Sequence, residues 1–299
     1  MIHPHIQALT DHVYFIQAPM KGRFPFCNGF VFKGSQTLLI DAGLGDELIQ
    51  EIDQYFHIDT LVISHSHPDH IKSWHLLKDR KLILPQETTD AVLDMEKLGI
   101  QYTGDRQSGR HWVNSIGKPF GIVPLRKPDQ RFGDKDVFDI GTARIQAIHT
   151  PGHYDDHYCF LDHVSGTLIT TDIDFSSFGP WYGNPCGSIK AFINSVHKIM
   201  ALPYKRVCSS HRPPFEGDAS HLFTDFLQAF DRQKSEILAC LGQGKNLADI
   251  LAVSPFYHNK FMDITVQNIF EGHMIRENLA LLMEEGRVIE DKGWFIPQK

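Results

Sequence analysis

Three histidines and a carboxylate crowd into six residues, His65-Ser66-His67-Pro68-Asp69-His70. Four such groups cannot all be ordinary core residues, because a buried polar group without a partner is costly. One turn can aim His65 and His67 at one point while Asp69 and His70 aim at a second. Imidazole and carboxylate donors suit Zn, Fe or Mn rather than Ca or Mg. Three further donors each follow a predicted strand: His153 in Thr150-Pro151-Gly152-His153, Asp172 in Thr170-Thr171-Asp172, and His211 in Ser209-Ser210-His211. A single tetrahedral ion uses at most four groups. Seven donors therefore ask for two adjacent divalent ions, with Zn foremost and Fe or Mn as alternatives. Such a pair acidifies water and polarises a carbonyl or phosphoryl oxygen. Asp69 and Asp41 are the candidate catalytic carboxylates. Asp69 would orient the attacking water and shuttle its proton, and Asp41 would hold the metal loop through hydrogen bonds.

The elements that must position these groups read as α/β. Strands are predicted at 13–17, 30–33 and 37–40, with a Gly34-Ser35 turn between the last two. A helix follows at 45–55, then a short buried strand at 60–63 that runs into the histidine cluster. A helix to about Lys78, a strand at 81–84 and an amphipathic helix at 88–98 come next. Residues 99–131 hold five Gly, three Pro, six basic residues and two acidic ones. They read as a surface insertion, with Arg106 and Arg110 as candidates for an anion-binding rim. Strands resume at 137–140, 143–148, 158–161 and 168–171, followed by a helix at 189–202 and a strand at 206–209. Pro213-Pro214 marks a boundary between residues 1–214 and a helical region at 215–299. That region reads as long helix, short helix, long helix and hairpin, the outline of a winged helix.

In this order the pattern resembles the metallo-β-lactamase superfamily. Asp41 with Gly43, His65-x-His67-x-Asp69-His70, His153, Asp172 and His211 match its five motifs over about residues 10–214. The resemblance implies an αββα sandwich with the metals at one edge. It also implies that His65, His67 and His153 hold one metal, that Asp69, His70 and His211 hold the second, and that Asp172 bridges. The pattern is most similar to the glyoxalase II-type hydrolases, with a winged-helix-like C-terminal domain.

Composition narrows the function. The chain has 299 residues and 42% hydrophobic content, enough for a core without disulfides or structural metals. No apolar run approaches the roughly 20 residues of a membrane helix, and no secretion signal is expected. Five Cys without CxxC spacing point to a reducing cytoplasm. The net charge of −7 argues against a nucleic-acid partner. Residues 215–299 alone carry 8 Lys+Arg and 13 Asp+Glu, so their reading is a cover for the metal cleft or a homodimer contact. The expected activity is dinuclear hydrolysis of a small thioester, ester or lactone. The alternatives are a mononuclear iron sulfur dioxygenase and a superfamily ribonuclease or phosphodiesterase. Loops 21–26 and 175–187 would flank the substrate.

Overall fold

The computed structural model describes residues 3–298. Two sheets face one another. The first has seven strands in sequential order: β1 (Ile6–Ala8), β2 (Val13–Ile16), β3 (Gly29–Lys33), β4 (Thr37–Ile40), β5 (Thr60–Val62), β6 (Lys81–Pro85) and β7 (Gln130–Phe132). Pairing is antiparallel as far as β4 and parallel from there on. The second sheet holds β8 (Val137–Asp139), β9 (Arg144–His149), β10 (Tyr158–Asp162), β11 (Thr167–Thr171), β12 (Arg206–Ser209) and β13 (Phe215–Glu216), in the order β13-β12-β11-β10-β9-β8.

Alternation along the strands builds the layers, because successive side chains point to opposite faces. Phe30 and Phe32 of β3 and Leu38 and Ile40 of β4 join Ala147, Phe160 and Ile169 in a core between the sheets. Their neighbours Val31 and Leu39 turn outward onto α1 (Asp46–Phe56), where Leu48, Ile49 and Ile52 receive them. On the far side, Cys159, Leu161 and Leu168 pack on Phe192 and Val196 of α5 (Ile189–Met200). The result is the expected αββα sandwich.

Three local expectations are corrected. The helix expected to reach Lys78 stops at Ile71, leaving α2 as Pro68–Ile71 and a separate 3-10 turn at Trp74–Leu77. The cause is a competing partner. The His70 carbonyl accepts from Ala42 N and the Ala42 carbonyl from Ser73 N, which fastens the donor turn to the end of β4. The helix expected over 88–98 starts later, as α3 (Met95–Thr103), because the Asp94 side chain accepts from Lys97 N and caps it.

The third correction is larger. Residues 99–131 are not an irregular surface insertion. They contain the end of α3 and all of α4 (Arg106–Trp112), and they bury Tyr102, Trp112, Ile116 and Leu125 in the core above the first sheet. A Cβ at Gly99 would lie 2.6 Å from the Gly109 carbonyl oxygen. These glycines mark the close crossing of α3 and α4, whereas in sequence they read as loop.

Beyond β13, which still belongs to the second sheet, come α6 (Ser220–Leu241), β14 (Lys245–Asn246), α7 (Leu247–Val253), α8 (Ile264–Glu284) and the hairpin β15 (Val288–Asp291) to β16 (Trp294–Pro297), with β14 paired to β16. Phe223, Phe226 and Phe230 of α6 and Met274 and Ile275 of α8 share one buried cluster with α5. Buried residues occur around most of α8, as expected for a helix enclosed on several sides. No helix among the described residues is long and apolar enough to cross a membrane.

Candidate metal centre

The histidine turn leaves β5, and His153, Asp172 and His211 leave β9, β11 and β12 at the same edge of the sandwich. Their donor atoms meet in two groups: His65, His67, His153 and Asp172, and Asp69, His70, Asp172 and His211. All seven predicted donors are brought together, and Asp172 belongs to both groups. In the first group, His67 Nδ1 lies 3.0 Å from His65 Nε2 and 2.7 Å from His153 Nε2. In the second, Asp172 Oδ1 lies 3.0 Å from His70 Nε2, and Asp172 Oδ2 lies 3.4 Å from His211 Nε2. Asp69 Oδ2 is 3.5 Å from His211 Nε2.

The outward nitrogens decide what the inward ones can do. His67 Nε2 meets Asn184 Oδ1 at 2.7 Å, His153 Nδ1 meets the Trp181 carbonyl at 2.8 Å, and His70 Nδ1 meets Asp41 Oδ2 at 2.8 Å. His211 Nδ1 meets the Gly22 carbonyl at 2.5 Å. Ser64 Oγ donates to Asp41 Oδ2 at 2.8 Å, which leaves it to accept from His65 Nδ1 at 3.0 Å. Each ring therefore holds a proton on the outside, and where the ring is neutral a bare lone pair faces inside. Burial pushes His65 and His67 well below the ordinary imidazole range, so both are neutral. Bare lone pairs 2.7–3.0 Å apart repel one another unless a cation lies between them. Asp172 Oδ1 and His70 Nε2 are also buried without a hydrogen bond of acceptable geometry. The donor set fits divalent metal.

The supports explain why the sequence folds this way here. Asp41 is fully buried with φ +65° and does not line the cavity. It accepts from Ser64 N at 2.7 Å, from Ser64 Oγ and from His70 Nδ1, so it positions the His70 ring directly and reaches His65 only through Ser64. Thr171 carries φ +47°, a strained value for a β-branched residue. Its hydroxyl donates to the Tyr158 carbonyl and meets His157 Nε2 at 2.7 Å. The twist follows a register shift between β11 and β12 and coincides with the point where Asp172 leaves the sheet. Asp156 holds Ser66 N within the histidine turn at 3.2 Å and accepts from Thr88 Oγ1 at 2.6 Å. Asn184, Ser64 and Asp156 were not visible as site residues in the sequence. Only Ser64, directly ahead of the histidine run, had a positional signal.

His157 is not a metal donor. Its Nδ1 meets the Thr150 carbonyl at 2.9 Å and its Nε2 accepts from Asp172 N at 3.2 Å. Burial lowers its pKa from 6.5 to about 3. Below pH 6.5 the unfolded chain therefore gains a proton that the folded chain refuses. His157 then contributes a loss of about 1.4 kcal/mol of stability per pH unit between pH 6 and 4. Urea unfolding of metal-free protein should show this slope, and His157→Gln should flatten it by that amount. An unchanged slope would contradict the assignment.

Five of the donors, His67, Asp69, His153, Asp172 and His211, floor a cavity of about 640 Å³. Its walls come from five places: Lys21, Arg23 and Phe24; Tyr102, Trp112 and Ile116; Ser176, Phe178 and Trp181; Arg212 and Pro213; and Tyr257, Phe261 and Phe270 from the C-terminal region. Both loops expected to flank the substrate are present. Arg106 and Arg110 are exposed and absent from the lining, which corrects their reading as an anion rim. Arg126 and Arg131 pair with Asp129 and Asp90 and hold carbonyls of the strand ends.

The profile of the Metallo-beta-lactamase superfamily matches residues 22–211, nearly two thirds of the chain. The chain belongs to this superfamily. It is 26% identical over 302 residues to an atrochrysone carboxyl ACP thioesterase from Pseudocercospora fijiensis, spanning 97% of this chain and 80% of that protein. It is 25% identical over 175 residues to a hydroxyacylglutathione hydrolase from Francisella philomiragia, spanning 58% of this chain and 56% of that one. The crystal structure of a metallo-beta-lactamase family protein from Thermus thermophilus superposes with a TM-score of 0.75 at 18% identity, covering 97% of this chain and 100% of that one. That likeness speaks for the fold. As in the superfamily at large, the His/Asp clusters here suit divalent metal ions.

Proposed function

We propose that this protein is a dinuclear metal-dependent hydrolase of thioesters. The observation that carries the proposal is the pair of donor groups sharing Asp172 on the floor of one cavity. A second group with all four of its expected donors, three of them buried, favours two ions over the mononuclear iron of a sulfur dioxygenase. Zn is the first choice, with Fe or Mn next. Thioester chemistry is supported by the thioesterase relative, whose similarity extends through the C-terminal region. A glyoxalase II-like affinity has weaker support, because the hydroxyacylglutathione hydrolase matches just over half of the chain. Residues 215–299, the winged-helix-like part of the proposal, cover the cleft through Tyr257, Phe261 and Phe270. Free Cys27, Cys159, Cys186, Cys208 and Cys240 accord with a cytoplasmic setting.

Bound divalent ions supply Lewis-acid polarisation and a water acidified toward neutrality. The chain's own residues do the rest. Asp69 lines the cavity and faces His211; its carboxylate takes the proton from the attacking water as oxygen adds to the acyl carbon. The C–S bond then breaks and the thiolate leaves, to be protonated by Asp69 or solvent. Asn184, the Trp181 carbonyl, Asp41 and the Gly22 carbonyl keep the imidazoles from rotating. Trp181, whose indole donates to the Tyr257 hydroxyl, excludes bulk water from the first donor group.

The test is release of free thiol from a panel of acyl-pantetheine thioesters. Turnover should disappear on chelation and return with added Zn, Fe or Mn. Turnover that survives complete metal removal, or no cleavage of any thioester by metal-loaded protein, would refute the proposal.

A further inference from the structure

The cavity has two unlike ends, and each is tied to one donor group. Over the first group the wall is aromatic. The His67 ring lies 5.9 Å from Tyr102 and 5.4 Å from Trp181, and Trp181 lies 5.4 Å from Phe270. Tyr102, Trp112 and Ile116 are each 1% exposed, so this end is closed. Over the second group the wall is cationic. Lys21, Arg23 and Arg212 line the same cavity, and all three are solvent-exposed. In a chain of net charge −7, three cations at one mouth stand out.

This mouth is preorganised. The His211 ring is bonded to the carbonyl of Gly22, between Lys21 and Arg23, and Arg212 follows His211 directly. Asn28, 1% exposed, joins the two loops. Its Oδ1 accepts from Ala18 N at 3.1 Å, its Nδ2 donates to the Arg212 carbonyl at 3.4 Å, and its backbone N donates to the Ser210 carbonyl at 2.8 Å. Gly22 has φ +72°, and a Cβ there would sit 2.9 Å from both Asn28 Oδ1 and the Ser210 carbonyl. Only glycine lets the basic loop approach the His211 loop this closely. Among the described residues, none of the three cations makes an ion pair. The cavity's remaining carboxylate outside the donor groups, Asp174, instead accepts from Ser176 N at 3.1 Å.

We propose that Lys21, Arg23 and Arg212 form an anion subsite for a phosphate carried on the thiol arm of the substrate, with an apolar acyl group enclosed at the aromatic end. The inference rests on the thioesterase reading and adds the direction in which the thioester lies. The closed end takes the group to be enclosed, and the open, charged end takes the carrier that extends into solvent. Guanidinium pairs grip phosphate oxygens in a planar fork, which a lone ammonium cannot do.

The test compares one apolar acyl group on two thiols, pantetheine and 4′-phosphopantetheine, with metal-loaded protein. The phosphorylated thioester should show kcat/KM on the order of tenfold higher at low salt, carried by KM. The ratio should shrink as ionic strength rises, as screening of a partly exposed site requires. The Arg23→Ala/Arg212→Ala double variant should bring the ratio close to one. A charge-conserving Arg23→Lys/Arg212→Lys variant, which controls for folding, should keep part of the preference. Equal kcat/KM for both substrates in the wild type, with both cleaved, would overturn the subsite and leave the thioesterase reading standing. A preference that survives the double alanine variant would also overturn it. Cleavage of neither substrate would remove the thioesterase reading and the subsite with it.

Discussion

Replacing Asp172 by alanine should lower kcat/KM on a cleavable thioester by at least about a thousandfold and reduce the bound metal to one equivalent or less. The carboxylate sits in both donor groups, with Oδ1 3.0 Å from His70 Nε2 and Oδ2 3.3 Å from His153 Nε2. Burial alone would raise its pKa, but the facing His70 and His211 outweigh burial and hold it well below the carboxylate range. It is therefore an anion at any working pH, and among the described residues it is the one group shared by both sets of rings. Alanine leaves the His70 and His153 nitrogens facing a gap. An Asp172→Ala protein that keeps two metals and full turnover would mean the two groups do not act as one centre. The variant should remain folded, since Asp172 lies beyond the last residue of β11 and outside the apolar clusters.

Asp41→Asn should have the second largest effect, although Asp41 does not line the cavity. Its Oδ2 receives both Ser64 Oγ and the His70 Nδ1 proton, while Oδ1 receives Ser64 N. An amide must put its NH2 on one of these sides. On the first, it faces His70 Nδ1 as a donor and drives the ring's proton to Nε2, where it blocks the inward lone pair. On the second, it leaves the buried Ser64 N–H without an acceptor. Affinity at the second site should fall about 10- to 100-fold, with the first site retained. A Co-substituted protein would report this as selective loss of one set of absorption bands in a titration. Loss of both sites together would indicate general unfolding, and unchanged binding would remove Asp41 from the positioning role.

The donors were legible in the sequence because each is an unusual residue at the end of a predicted strand, and their sum exceeds what one ion uses. The sandwich was legible because Phe30, Phe32, Leu38 and Ile40 alternate with Val31 and Leu39, which assigns two buried faces to one sheet. The wall built from α3 and α4 was not legible. Gly99 and Gly109 serve a close helix crossing there, and a glycine needed for close approach reads like one needed for a turn. The same segment's basic residues suggested an anion rim in the wrong place. The cations that do reach the cavity lie about 190 residues apart in the chain, and it is Asn28 that joins their loops. Asn184 was invisible for a related reason, since an amide in Gly183-Asn184-Pro185 carries no mark of the His67 ring it orients.

Two metal ions are expected at this centre. The most direct measurement is elemental analysis of protein purified without added metal or chelator, repeated on Asp172→Ala. Close to two equivalents of Zn, Fe or Mn per chain, falling to one or fewer in the variant, is the predicted result. A single equivalent in the wild type that no metal supplement raises would contradict the claim.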